Sequence, residues 1–299
     1  MSCTDPKRAA NGRGDLARLP AWLRVKTGKA SLARETRELL REMGVHTVCE
    51  QAMCPNIGEC YGAHTATFMI LGRVCTRSCR FCAVEHGSPE PPDPDEPRRV
   101  AEAAGRLGLR YVVVTCVTRD DLPDGGAGHF AHTIEALRER VPGAGIEVLT
   151  SDLGGDGAAL RIVLDARPTV FNHNVETVRR LQPVVRPDAA YERSLGVLAQ
   201  AAAHDPAPLI KSGLMVGLGE TDAEVEETLA DLSAAGCQMV TIGQYLRPSE
   251  RHLPVARYVE PAGFERYERM GLRRGLRRVI SGPFVRSSYC AAEAAAELT

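Results

Sequence analysis

Long apolar runs are missing from this 299-residue chain: stretches such as FMIL and YVVV are the most it offers. A membrane-spanning helix needs roughly 20 apolar residues, so no segment is expected to cross a bilayer. Net charge is nearly absent too, because 37 Lys and Arg stand against 38 Asp and Glu. That balance gives no general electrostatic argument for binding nucleic acid or a membrane surface. The opening MSCTDPKRAANGRGDLARLP has no apolar stretch of signal-peptide length, so a mobile N-terminus in a cytoplasmic protein is expected. Neither glycine-rich segment, PDGGAGHF or VGLGET, has the glycine, lysine and hydroxyl arrangement of a phosphate loop. Nucleotide-phosphate hydrolysis is excluded on that ground.

What the chain does have is cysteine. It carries ten, six of them between Cys49 and Cys82. In a reducing cytoplasm, clustered cysteines point to metal rather than to disulfides. Cys3, Cys116, Cys237 and Cys290 are scattered, and Cys116 and Cys237 read as small buried hydrophobes. The remaining composition, 44% apolar and 25% charged, is that of an ordinary globular protein. The length suits one large α/β domain or two small ones.

From residue 67 onward, short β-branched runs alternate with longer helical patterns. Strands are expected at 67–71, 110–116, 145–150, 169–175, 209–217 and 239–245, most of them continuous apolar runs covered on both faces. Helices are expected near 97–107, 128–140, 156–166, 189–204 and 222–236. The last has Thr221 or Asp222 as a cap, an acidic first turn and Gly236 as a stop. Six strand–helix units predict a parallel sheet with right-handed crossovers. They are two short of a closed eightfold barrel, so the fold class is α/β, a partial TIM barrel of (β/α)6 type. A six-stranded doubly wound sheet is the alternative.

Residues 1–66 lack the alternation and read as an N-terminal extension, with 67–246 as the barrel. Residues 247–299 read as a C-terminal extension, a helix followed by a short extended tail. The RRGLRR run at 273–278 reads as a solvated helix end, with docking of an acidic partner as the alternative. The cysteine loop, TRDDLPDGG, NHN and GLGET fall at or after strand ends, where barrel enzymes place their sites.

The spacing of Cys75, Cys79 and Cys82 is C-x3-C-x2-C, in a loop directly after the first barrel strand. Three thiolates so placed can hold three irons of a [4Fe–4S] cube and leave the fourth open. Zinc is the alternative, with a histidine drawn from His46, His64 or His86. Against it, this spacing is not the usual paired zinc motif. No single cysteine stands out with a partner base, which weakens a nucleophile reading. Cys49, Cys54 and Cys60 form C-x4-C-x5-C, a spacing that no common zinc module uses.

The motif CTRSCRFC, with Phe81 before its last cysteine, resembles the radical S-adenosylmethionine superfamily. Together with CEQAMCPNIGEC, RDDLPDGGAGHF, VFNHNVETV, KSGLMVGLGET, GQYLRPS and VRSSY it is similar to the lipoyl synthase family, from about Trp22 to Tyr289. The resemblance implies two [4Fe–4S] clusters and S-adenosyl-L-methionine as cofactors. It places one cluster on Cys75, Cys79 and Cys82, its open iron chelated by the cofactor's amino and carboxylate groups. It places an auxiliary, sulfur-donating cluster on Cys49, Cys54, Cys60 and Ser288, with Arg286 and Ser288 as the catalytic residues of the tail. The implied reaction takes one hydrogen each from C6 and C8 of an octanoyl chain amide-linked to a carrier lysine, and inserts two sulfurs. Implied partners are octanoylated lipoyl domains of 2-oxoacid dehydrogenase E2 subunits, the glycine cleavage H protein, a ferredoxin or flavodoxin, and an iron–sulfur carrier protein.

That chemistry suits the layout. The target carbons have no acidic proton for a base to take, so a carbon radical must form and must meet sulfur before water. Two clusters facing one another across the substrate would achieve this by positioning. The same resemblance sets Phe81 near the adenine and Thr118 and Arg119 near the methionine end. Asn172 and Asn174 would share one strand face, where buried amides require partners such as ribose hydroxyls or substrate. A strand-end polar network is the competing account. Arg186 is assigned to a cofactor carboxylate or to bracing its loop.

Three positions depart from the family pattern. Arg80 stands where proline is common, SDLGGD at 151–156 replaces a proline–aspartate–phenylalanine sequence, and Cys290 follows Tyr289 in place of a basic residue. In an extended tail, side chains 288 and 290 would point to the same side, so the softer thiolate would compete for the open iron. Competing functions are a methylthiotransferase, which carries additional recognition domains, a two-cluster electron carrier, and a zinc-stabilised binding module.

Overall fold

The computed structural model describes residues 19–23, 30–62 and 66–298. Cys3, His64 and most of the N-terminal stretch expected to be mobile lie outside the described residues. The sheet has eight strands in sequence order: β1 His46–Thr47, β2 Thr67–Ile70, β3 Tyr111–Cys116, β4 Gly145–Leu149, β5 Val170–Asn172, β6 Leu209–Val216, β7 Met239–Gln244 and β8 Arg278–Gly282. All neighbouring pairs are parallel except β1 with β2. A doubly wound sheet would reverse direction at a switch point. The unbroken order is that of a barrel arc, and the six expected strands are β2 to β7.

The helices follow the same progression: α1 Ala30–Glu42, α2 Glu96–Arg106, α3 Ala127–Arg140, α4 Gly157–Asp165, α5 Tyr191–Ala202, α6 Asp222–Ala234 and α7 Pro261–Arg273. From α2 to α5 each packs on the next, and α6 packs on α7. The interior follows from the apolar strand runs: Val112, Val113 and Val114 of β3 are buried, as are Phe68, Met69 and Ile70 of β2. The start of α6 is a capping box. The Thr221 hydroxyl accepts from the Glu224 amide at 3.3 Å, and the Glu224 carboxylate accepts from the Thr221 amide at 2.8 Å. Gly236, at φ +85°, ends it as the sequence predicts. Among the described residues no helix is long and apolar enough to cross a membrane.

One difference from the sequence reading stands out. After α7 the chain does not merely extend; it adds β8, a seventh parallel strand on the edge of β7. The β-branched pair in RRVISG supplies that strand, and adjoining arginines masked its signal. RRGLRR runs from the last residue of α7 to the first of β8 and is largely exposed. It sits at the strand-start end of the sheet, opposite the end from which the cysteine loop emerges. Two of its arginines form ion pairs, Arg274 with Glu226 and Arg278 with Glu297.

Candidate active site

The Cys75 loop is fastened on every side. Val74–Cys75 pairs in parallel with Glu85–His86, and the Gly87 amide donates to the Cys75 carbonyl at 2.9 Å. The Cys75 sulfur accepts from the amides of Arg77 and Thr118, at 3.5 and 3.3 Å. Arg77 is buried and makes three bonds of 2.7 Å, two to Asp120 and one to Asp152. Such a bidentate arginine–carboxylate pair fixes orientation as well as charge. Farther along, the Arg80 amide donates to the Val185 carbonyl at 3.0 Å, and His252 Nε2 lies 2.9 Å from the Cys82 carbonyl oxygen. Phe81 is held between those two anchors.

Asp152 explains the SDLGGD segment. Its carboxylate is fully buried, takes the Arg77 bond on one oxygen and accepts from Arg193 Nε at 2.8 Å on the other. Burial pushes its pKa up, but the bond and charge of Arg77, followed by His173 and Arg193, outweigh that and hold it at about 2. The loop that departs from the family pattern is thus a brace for the cysteine loop.

The second triplet meets the chain's far end. Cys49 lies in the short helix Val48–Gln51 and Cys60 in Ile57–Gly62. With Cys54 they line a small recess whose other walls include Asn56, Thr67, Arg286 and Ser288. Asn56 Nδ2 donates to the Phe284 carbonyl at 2.7 Å, and the Thr67 hydroxyl donates to Ser288 Oγ at 2.7 Å. Here the tail turns rather than extends: the Tyr289 amide donates back to the Arg286 carbonyl at 2.9 Å. Strand alternation therefore does not relate 288 to 290. Cys290, at φ +51°, is exposed and begins the helix Ala291–Ala296, while Ser288 lines the recess.

Residues from strands β3 to β6 form a polar network on one face of the sheet. Lys211 Nζ donates to Glu147 at 2.8 Å with both side chains buried, joined by Asn172 Nδ2 at 3.2 Å and the Tyr111 hydroxyl at 2.9 Å. β5 ends at Asn172, and Asn174 lies beyond it, so the shared-face argument holds only loosely. Asn174 Nδ2 donates to Glu176 at 3.0 Å and to the Ser287 hydroxyl of the tail at 2.6 Å. Arg186 donates to the carbonyls of Asn174 and Val175 at 3.0 and 3.3 Å; burial raises the pKa of the nearby Cys79 thiol, and the charge of Arg186 offsets part of that rise. Arg119 is buried against Asp121 and the Leu71 carbonyl.

Does this donor set fit two clusters and a polar cofactor? Burial pushes the thiols of Cys49 to about 11 and of Cys60 and Cys82 to about 12. Such thiols ionise only when a cation compensates, as a metal ligand set requires. Among the described residues no three His, Cys, Asp or Glu side chains gather as a single-ion site. The Oδ1 atoms of Asn172 and Asn174 and Nε of Arg186 are buried without a partner among the described residues. Unpaired buried atoms of this kind suit a ligand rich in hydroxyl, ammonium and carboxylate groups. The residues present fit both groups.

Sequence reasoning missed Arg77, Asp120, Asp152 and the network around Glu147 and Lys211. The charge signature RDD was visible, but its Asp120 lies 43 positions from Arg77, and Asp152 lies 75 positions from that same arginine.

Comparisons with known proteins bear on the family and the fold. A family model described as the radical SAM superfamily matches residues 69–232. The lipoyl synthase of Caldanaerobacter subterraneus subsp. tengcongensis is 57% identical over 272 residues, 91% of this chain and 95% of its own length. That of Rubrobacter xylanophilus is 56% identical over 274 residues, covering 92% and 85%. That of Thermus thermophilus is 55% identical over 272 residues, covering 90% and 84%. Among solved structures, Streptococcus suis SuiB bound to S-adenosylmethionine aligns with a TM-score of 0.55 at 10% identity, over 71% of this chain and 49% of that one. HydG, a maturase of the [FeFe]-hydrogenase, aligns at 0.54 and 14% identity, over 87% and 58%. At such identities the structural likeness concerns the fold alone.

Proposed function

The chain belongs to the lipoyl synthase family of the radical S-adenosylmethionine superfamily, and from that membership we propose how its own residues serve the reaction. The reaction is insertion of two sulfur atoms at C6 and C8 of a protein-bound octanoyl-lysine, and it acts on octanoylated carrier proteins. The cofactors are [4Fe–4S] clusters and S-adenosyl-L-methionine. When bound, they supply one-electron cleavage of a C–S bond, hydrogen-atom abstraction from unactivated carbon, and sulfur.

Cys75, Cys79 and Cys82 hold the cluster that leaves one iron open. Cys49, Cys54, Cys60 and Ser288 hold the other. The observation that carries this division is the shared recess, in which three cysteines and Ser288 meet although the tail is more than two hundred residues away in sequence. Arg286 adds a positive charge at the same wall. Its Nη1 donates to the Val285 carbonyl at 2.7 Å, and burial lowers its pKa while Cys54 opposes that effect. An anionic sulfur-rich group would satisfy it.

Around S-adenosyl-L-methionine we place Phe81, Thr118, Asn172, Asn174 and Arg186. The unpaired amide oxygens of the two asparagines would accept from hydroxyl or ammonium groups. Arg119 joins this set through its backbone, since its guanidinium is engaged elsewhere. The tail keeps water from the strand ends: a side chain at Gly243 would collide with the Val285 carbonyl, so the tail lies directly on β7. The carriers we propose are the lipoyl domains of 2-oxoacid dehydrogenases and the glycine cleavage H protein. A ferredoxin or flavodoxin would donate electrons, an iron–sulfur carrier protein would restore the cluster, and the setting would be the cytoplasm.

The test is anaerobic reconstitution of the full chain, then incubation with reductant, S-adenosyl-L-methionine and an octanoyl-lysine peptide. Mass spectrometry should find 5′-deoxyadenosine and a peptide carrying two sulfurs. Neither product, with both clusters intact by iron and sulfide content, would refute the reading.

A further inference from the structure

The segment TRDD at 118–121 touches the cysteine loop at nearly every step. The Thr118 amide donates to the Cys75 sulfur at 3.3 Å, and the Thr118 carbonyl accepts from the Thr76 amide at 3.0 Å. Asp120 receives two of the three Arg77 bonds, and its own amide donates to the Thr76 hydroxyl at 3.1 Å. Arg119 reaches back to the loop's start, where Nη1 donates to the Leu71 carbonyl at 3.2 Å. Two bonds of 2.8 Å to Asp121 hold that guanidinium in place.

Leu71 needs such holding. It is buried, is not glycine, and sits at φ +68°, a left-handed conformation that an L side chain adopts only when its surroundings impose it. Its amide is bound from the other side, donating to Glu96 Oε2 at 2.7 Å. Glu96 is itself buried and is bonded to His129 at 2.8 Å, a residue of the PDGGAGHF segment. One residue is thus gripped at both ends by charged side chains, and the turn it makes launches the loop that carries Cys75, Cys79 and Cys82.

We propose that Glu96 and Arg119 are positioning residues, a clamp on Leu71 that, with Thr118 and Asp120, sets the cysteine loop in ligand-ready form before any cluster enters. Arg119, Asp121 and His129 come from the RDDLPDGGAGHF stretch and Glu96 from the start of α2, and the cofactor and substrate assignments leave all four without a side-chain role. The function of the clamp rests on the reading of that loop as a cluster holder, but its geometry does not, and thiol labelling of iron-free protein tests it alone.

The experiment alkylates the iron-free full chain with iodoacetamide under reducing, anaerobic conditions and follows each cysteine by peptide mass spectrometry. Arg119→Ala and Glu96→Ala should speed labelling of Cys75, Cys79 and Cys82 about 10-fold or more, while Cys49, Cys54 and Cys60 stay within about 2-fold. Outer-shell partners of metal ligands carry effects of about 10- to 100-fold on metal retention. Iron held by the loop should therefore be lost faster to a chelator by a similar factor. Glu96→Gln keeps an acceptor for the Leu71 amide and should behave as the parent. Asp121→Asn, on the more exposed side of its pair, serves if the alanine variants do not fold, and should speed the same three thiols. Equal acceleration at both triplets, no acceleration at either, or a Glu96→Gln effect as large as that of Glu96→Ala would overturn the proposal. If the labelling pattern holds but no product forms in the reconstituted enzyme, the functional reading fails and the clamp stands.

Discussion

Asp152→Asn isolates one buried charge at the base of the cysteine loop. In the folded chain Asp152 is held at about 2 against an ordinary 3.8. Each pH unit of that difference is worth roughly 1.4 kcal/mol, so the ionised carboxylate contributes about 2–3 kcal/mol at neutral pH. Asparagine keeps the shape and removes the charge, and should cost about 2–3 kcal/mol. Asp152→Ala also leaves Arg77 and Arg193 short of a partner in a buried site, where about 3–5 kcal/mol is the usual loss. The sign with pH follows from a lowered carboxylate pKa. The contribution is fully present above about pH 4 and fades as pH falls from about 4 toward 2. Urea unfolding of the iron-free chain, followed by circular dichroism, reads both effects. The gap between parent and Asp152→Asn should be constant from pH 7 to 5 and should close below pH 4. A gap under about 0.5 kcal/mol at pH 7, or one that persists unchanged to pH 2, would show that the Arg77–Asp152 pair is not the brace the structure implies.

Ser288→Ala should alter the absorption and paramagnetic spectra of the cluster held by Cys49, Cys54 and Cys60 and block sulfur insertion, whereas Cys290→Ala should leave both intact; the reverse pattern would exchange their roles. Thr221→Ala removes the capping box of α6 and should cost about 1 kcal/mol in urea unfolding without changing product yield. Lys211→Met strands Glu147 in the interior and should cost about 3–5 kcal/mol, while the double variant Lys211→Met with Glu147→Gln should recover much of it, as a double-mutant cycle would measure.

Much of the barrel could be read from the chain because its strands are buried on both faces and so announce themselves as apolar runs. β2 to β7 and α2 to α6 fall within a few residues of expectation for that reason. Endings were harder. β2 stops at Ile70 because Leu71 turns left-handed, a choice imposed by Glu96 and Arg119 from other segments and invisible in local propensity. β5 stops at Asn172, and pairing resumes only at Glu176 opposite Leu214. The cysteine spacings pointed to cluster chemistry, and the recess gathers one triplet with Ser288. What the sequence withheld was the division of labour among charges. Arg119, expected at the cofactor, spends its side chain on Asp121 and Leu71, and Asp152, in a segment of uncertain shape, anchors Arg77. Such pairs depend on through-space closeness between loops that the strand order alone brings together.

The central claim is that the two cysteine triplets do different work, one opening an iron to a cofactor and the other holding sulfur to be given away. Reconstituting the full chain with sulfide enriched in sulfur-34, removing free sulfide, and turning over an octanoyl-lysine peptide tests it most directly. The account predicts a product whose two inserted sulfurs both carry the heavy isotope, and no such product from Ser288→Ala. A product containing only natural-abundance sulfur would contradict it.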